Sequence, residues 1–218
     1  RTFIDQGDNP IDSLGEDRLG RRPFAEALAA EILAAPADRG YVMGLTGPWG
    51  SGKTSILNMT VDAIQNEAVV VQFNPWMFSG TEALVSSFFE EIGKQLDKRD
   101  SKLKGIADKL ATYGHLLSPL ASLVGAGTAV SGASDILEKL AVRPSVFEQR
   151  KELRSLLEGL DRRLVVVVDD VDRLRPQEVL DIVRLVRLVG DFPNTLYLLA
   201  FDRSRVEECL GEGNTARG

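Results

Sequence analysis

The chain has little of what builds covalent or metal-based scaffolds. Of its 218 residues one is a cysteine, Cys209, and one a histidine, His115. A single thiol can form no internal disulfide and no cysteine-based zinc site. It fits a reducing, cytosolic compartment. The lone histidine reads as a surface or packing residue rather than a ligand. A basic excess is also missing: 26 lysines and arginines stand against 32 acids, for a net charge of −6 and a pI near 5.0. Such a surface is no general nucleic-acid binder, so no direct nucleic-acid contact is expected of this segment. No internal repeat is visible, and the start Arg1-Thr2-Phe3-Ile4-Asp5 carries no signal-peptide pattern. What remains is an ordinary folded composition, 44% hydrophobic and 27% charged, long enough for one sizeable domain or one domain with an insertion.

Four short apolar runs predict strands: 41–46, 68–73, 164–168 and 195–201. Between them lie helical patterns. Pro23 suits a first turn, and Phe24, Ala27, Leu28, Glu31 and Ile32 keep helical spacing over 23–35. Ser79-x-x-Glu82 and Ser145-x-x-Glu148 are capping boxes. The first opens a helix to about Leu96. The second opens one with Phe147, Leu153, Leu156, Leu157 and Leu160 on one face. Pro176 to Val189 reads as a helix closed by Gly190. Residues 5–18, rich in Asp, Gly, Asn and Pro, read as a loop or arm. Strands that are continuous apolar runs alternating with helices predict a parallel sheet covered on both faces.

The first strand runs into Gly47-Pro48-Trp49-Gly50-Ser51-Gly52-Lys53-Thr54, which matches the Walker A pattern G-x-x-x-x-G-K-[ST]. Its glycines let backbone N–H groups turn inward and cradle phosphates. Lys53 puts a point charge on the β- and γ-phosphates, and the Thr54 hydroxyl can ligate Mg²⁺. A helix opens at Ser55, which gives the strand–loop–helix context the motif requires. The strand at 164–168 ends in Asp169-Asp170-Val171-Asp172-Arg173-Leu174, a Walker B arrangement. It carries Asp169 to the carboxyl edge of the sheet as a second magnesium ligand. Asp170, pointing differently, can polarise an attacking water. For Asp172 and Arg173 a local salt bridge weighs as much as a catalytic role. Asp202, at the end of the fourth strand, is either a sensor of the γ-phosphate or the N-cap of the next helix. Trp49 and Trp76 can stack on a base or pack; packing is expected for Trp76 and neither is preferred for Trp49.

Residues 114–134 contain no Asp, Glu, Lys or Arg, and are long enough to span a bilayer. Gly, Ala, Ser and Thr make up most of them, Pro119 interrupts them, and no aromatic belt frames them. A single span would also put the two halves of the nucleotide site on opposite sides. A soluble or interfacial insertion is therefore expected, and membrane contact is not favoured. Lys94, Lys98, Arg99, Lys102, Lys104 and Lys109, just ahead, read as a solvated helical face.

Taken together, the 47–54 loop, Phe73-Asn74-Pro75-Trp76, the 168–174 box and Ala200-Phe201-Asp202-Arg203 resemble the KAP family of P-loop NTPases. Asp17-Arg18-Leu19-Gly20-Arg21-Arg22-Pro23-Phe24 is similar to that family as well. The resemblance covers nearly the whole chain. It implies an ATPase domain related to the AAA+ and STAND classes. Members of the family range from bacterial phage-exclusion proteins to animal membrane signalling scaffolds. By similarity, Gly20 and Arg21 would lie near the adenine. The family's fold continues with another strand and an arginine-bearing helical region beyond the point where this chain stops, at Gly218.

The reading is thus an α/β, three-layer P-loop NTPase with a mostly parallel sheet. The Walker A and Walker B strands are separated by another strand, and a helical insertion lies between them in sequence. Residues 1–22 would be an N-terminal arm, 23–96 the Walker A half, 97–144 a helical, small-residue insertion and 145–218 the Walker B half. The expected ligands are ATP or ADP and Mg²⁺, bound by Gly47, Pro48, Trp49, Gly50, Ser51, Gly52, Lys53, Thr54 and Ser55, with Thr54 and Asp169 on the metal. The expected reaction is hydrolysis at the β–γ bond, with Asp170, Lys53, Asp202 and Arg173 as its residues. The output is a conformational change in attached effector domains or in a self-assembly. A nucleotide switch or scaffold with little turnover is the first alternative. A small-molecule kinase is the second, disfavoured because Asp169-Asp170 supplies a water-orienting acid that a kinase must avoid.

Overall fold

All four apolar runs form strands. The computed structural model describes residues 9–78, 81–99, 103–125 and 146–215. Its strands are β1 (Tyr41–Thr46), β2 (Ala68–Phe73), β3 (Arg163–Val168) and β4 (Thr195–Phe201). They make one parallel sheet in the order β1-β4-β3-β2. The strand separating β1 from β3 is therefore the last in sequence. Register aligns the carboxyl ends: Thr46 pairs with Phe201, and Phe73 with Val168, which in turn pairs with Leu199. The 47–54 loop, Asp202, Asp169 and Asn74 consequently emerge along one edge, where ligands of open α/β sheets lie.

The sheet's alternation is two-sided. Val69, Val71, Phe73, Leu164, Val166, Val168, Tyr197 and Leu199 point into one core, and Val70, Val165, Val167, Leu196, Leu198 and Ala200 into the other. Each buried valine or leucine contributes roughly 1.5–3 kcal/mol, so apolar residues at every strand position are what a doubly covered sheet requires. The second core is closed by α1 (Arg22–Ala34) and α2 (Lys53–Ile64). The first is closed by α3 (Thr81–Arg99), α4 (Lys104–Gly125), α5 (Val146–Glu158), α6 (Pro176–Val189) and α7 (Arg203–Thr215). Three layers result, with α3, α4 and α5 inserted between β2 and β3.

Several expectations change in detail. Coverage on both faces fails at β1, an edge strand, where Val42 is half-exposed and Gly44 and Thr46 are exposed. The buried face of α1 is Ala25, Ala29 and Ile32, while Phe24 and Ala27 face out. The small alanines suit close packing of α1 on α2, where the buried Thr60 hydroxyl reaches the Ala25 carbonyl. On α5 the buried line is Gln149, Leu153 and Leu157 at helical spacing, so Phe147 is 83% exposed and does not share it. Trp76 is half-exposed rather than packed; Pro75 ends β2 and is the buried residue of the turn that follows. Helix α4 continues through Pro119 to Gly125. It packs against α3 with Phe89 at the crossing, where a Cβ on Gly114 would come within 2.6 Å of the Phe89 Cβ. The capping residues Ser79 and Ser145, the side chain of His115 and residues 126–134 lie outside what is described. Among the described residues no helix is long and apolar enough to cross a membrane.

Candidate nucleotide site

The loop after β1 is shaped by two left-handed glycines. Gly50 has φ 76° and Gly52 φ 81°, conformations that glycine adopts without the Cβ penalty. A Cβ on Gly47 would lie 2.6 Å from the Ser51 Oγ. The loop is tied to the sheet by the Gly47 N–H, which donates to the Phe201 carbonyl at 3.3 Å. It closes on itself through the Ser51 N–H, donating to the Pro48 carbonyl at 3.1 Å. Gly52 is the N-cap of α2, so no side chain caps that helix. Its first-turn N–H groups and the positive end of its dipole are left for an anion.

Lys53 arches back over the loop. Its ammonium donates to the carbonyls of Gly47 at 3.0 Å and Pro48 at 3.3 Å. The Thr54 hydroxyl donates to Asp169 Oδ2 at 2.9 Å across 115 residues of sequence. The other Asp169 oxygen accepts the Asp170 N–H at 2.8 Å. A hydroxyl and a carboxylate converging in this way are hard oxygen donors of the kind magnesium takes. Among the described residues no group of three or more His, Cys, Asp or Glu side chains could hold a metal by itself. A magnesium ion here would draw its remaining ligands from phosphate oxygens and water.

The turn after β3 brings three acids and one arginine together. Asp170 has φ 60°, uncommon for a residue with a side chain. That reversal starts the short helical turn Val171–Arg173. Arg173 returns to Asp170, Nε to Oδ1, at 2.9 Å. Burial pushes the Asp170 carboxyl above its usual range, the neighbouring Asp169 charge adds to the rise, and Arg173 opposes it. Asp172 turns toward the loop, its Oδ2 3.8 Å from the Lys53 ammonium. Sequence reasoning weighed a local salt bridge equally with a catalytic role for Asp172; the structure gives it an ion pair, with Lys53 of the loop as the partner.

The remaining predicted residues divide. Asp202 caps α7, accepting the Ser204 N–H at 2.9 Å and the Arg205 N–H at 3.4 Å, while standing beside the loop at the end of β4. Gly20 turns with φ 70°. Arg21 then reaches the loop itself, its guanidinium donating to the Ser51 carbonyl and lying against Gly52. Ser55 faces the N-terminal arm, its hydroxyl accepting the Ile11 N–H at 3.3 Å. Asn58 and Asp62 extend that clasp along α2, Asn58 donating to the Ile11 carbonyl at 3.0 Å and Asp62 accepting the Leu14 N–H at 3.0 Å. This strap along the P-loop helix was not anticipated, although Ser55, Asn58 and Asp62 form a polar stripe at helical spacing. Trp49 stands out from the loop, 79% exposed.

The sequence pattern of the KAP family P-loop domain matches residues 21–217. The phage T7 exclusion protein of Escherichia coli (strain K12) is 31% identical to the chain over 231 aligned residues, covering 93% of this chain and 31% of that protein. The chain thus spans about a third of the length of that curated relative. Two solved structures are similar to it. The ORC2 protein of Aeropyrum pernix, described as ADPNP-ADP complexes, is 18% identical, covering 90% of this chain and 45% of that one at a TM-score of 0.43. Cdc6p of Pyrobaculum aerophilum is 17% identical, covering 88% and 41%, at a TM-score of 0.44.

Proposed function

This chain belongs to the KAP family of P-loop NTPases, and from that premise we propose that it binds ATP with Mg²⁺ and hydrolyses it at the β–γ bond. The observation that carries the reading is the 2.9 Å hydrogen bond from the Thr54 hydroxyl to Asp169. It joins the P-loop to the acid of the β3 strand at the point where a nucleotide-bound magnesium would be held. The loop amides and Lys53 bind the phosphates, and Thr54 and Asp169 hold the metal. Magnesium, when bound, neutralises charge on the β- and γ-oxygens. Asp170 orients the attacking water and takes its proton. Asp202 senses the γ-phosphate from the end of β4. Gly20 and Arg21 line the nucleotide from the arm, and contact of Arg21 with the Ser51 carbonyl supports an approach from the loop side.

The division into an arm (1–22), two halves (23–96 and 145–218) and an insertion (97–144) is part of this proposal. So is the output, a conformational change in attached domains or in an assembly. A cytosolic location is proposed from the need for ATP. Likeness to a phage exclusion protein supports a role in phage defence. A second reading, a switch with little turnover, is favoured by one observation: Arg173, the arginine beside the proposed base, is bound to Asp170 itself.

Calorimetry with MgATP tests the binding, and phosphate release without an added acceptor tests hydrolysis against a kinase reaction. The chain should bind, and Lys53→Ala should lose that binding, because the phosphates lose their fixed cation. Tight binding by Lys53→Ala would overturn the assignment of the loop.

A further inference from the structure

Asp172 is the acid that the proposed chemistry leaves without work. Its side chain is only 8% exposed. Val171, itself buried, anchors the turn that points Asp172 at the P-loop. One carboxylate oxygen, Oδ2, lies 3.8 Å from the Lys53 ammonium, close enough for an ion pair but beyond a hydrogen bond. The other, Oδ1, is buried and has no hydrogen-bond partner. A buried charge with one distant cation and an unsatisfied oxygen is costly to the fold. The turn itself is closed by backbone hydrogen bonds, from the Arg173 N–H to the Asp170 carbonyl at 3.1 Å and from the Leu174 N–H to the Val171 carbonyl at 3.3 Å.

We propose that Asp172 is a built-in competitor for the P-loop lysine. It holds Lys53 when phosphate is absent and weakens the grip on nucleotide when phosphate is present. The inference rests on the reading that this loop binds nucleotide. Phosphate oxygens engaged by Lys53 would come within a few ångströms of a carboxylate that is shielded from water. Like charges at that separation, shielded from water, repel one another more strongly than they would in bulk solvent. The consequence is an affinity below what the loop, the helix dipole and Lys53 would give alone, and faster departure of ADP.

The test is nucleotide binding by the full chain carrying Asp172→Asn, which keeps the shape and removes the charge. ADP and ATP, each with Mg²⁺, are titrated by calorimetry, and ADP dissociation is followed by stopped flow. Thermal unfolding of the ligand-free proteins runs alongside. The variant should bind ADP at least about fivefold tighter, mainly through slower dissociation, with a melting temperature no lower than wild type. Asp172→Ser, which removes the same charge with a smaller side chain, should tighten binding as well and stands in should the asparagine variant fail to fold. Unchanged affinity in the charge-free variants would overturn the inference. So would weaker binding at an unchanged melting temperature, since Asp172 would then be aiming Lys53 at phosphate rather than competing for it. If wild type itself binds no nucleotide, the reading of the loop falls first and this inference with it.

Discussion

Arg173 Nε donates to Asp170 Oδ1 at 2.9 Å, between two residues three apart on a turn that opens with a left-handed backbone at Asp170. The pairing joins the proposed base to the arginine nearest it in sequence. It also sets two opposing influences on one carboxyl. Burial and the Asp169 charge raise its pKa, and the guanidinium pulls it down without cancelling the rise. An ionised Asp170 is therefore a net cost to the folded state at neutral pH.

Asp170→Asn should consequently do two things at once. Asparagine tolerates a positive φ better than most residues, so the turn is kept. ATP binding should survive, while phosphate release falls about a hundredfold or more for want of a base. The folded-state pKa of Asp170 is raised. Its contribution to stability is thus fully present below the unfolded-state value and lost as pH rises through the folded value. At neutral pH the variant, which carries no charge to bury, should melt higher than wild type, and the gain should shrink as the pH is lowered. A variant that melts lower at neutral pH would mean that the Arg173 pairing outweighs burial.

The strands were legible because each is a largely apolar run, with β3 and β4 covered on both faces, and β3 differs from its expected range only by Arg163 at its start. That residue is buried, its guanidinium capping the end of α1 on the carbonyls of Ile32 and Ala35, and no pattern of apolar residues could announce it. The loop and the β3 acids were legible because their spacing matches patterns that phosphate and metal binding would require. The helix faces were less so: Phe24 and Phe147 are strong apolar signals that tertiary packing left outside, in favour of Ala25 and Leu153. The Asp172–Lys53 pair and the strap of residues 11–14 on α2 depend on contacts between segments far apart in the chain, which periodicity does not report.

Trp49 offers a direct optical test of the site. The chain has two tryptophans. Trp49 projects from the P-loop and is 79% exposed, whereas Trp76 follows β2 at the far side of the sheet. Packing beneath the loop is thus excluded for Trp49, and nucleotide bound on the loop should alter its surroundings. ATP with Mg²⁺ should change the tryptophan emission of wild type and of Trp76→Phe, and leave Trp49→Phe nearly silent. A signal that survives in Trp49→Phe and disappears in Trp76→Phe would move the nucleotide toward the β2 end of the edge.

Arg173→Ala separates an electrostatic role for this arginine from a direct one on phosphate. In the structure Arg173 opposes the rise of the Asp170 pKa, so removing it should raise that pKa further. A base must be ionised to accept a proton, and the acid limb of the turnover profile should move to higher pH. At pH values below the new limb the variant should be slower than wild type, and at alkaline pH it should approach the wild-type rate. Steady-state phosphate release across the pH range reads this directly. If Arg173 instead stabilises charge on the transferred phosphoryl group, the loss would be orders of magnitude and would persist at every pH. A rate deficit independent of pH would therefore assign Arg173 to the phosphate, and recovery at alkaline pH would assign it to Asp170.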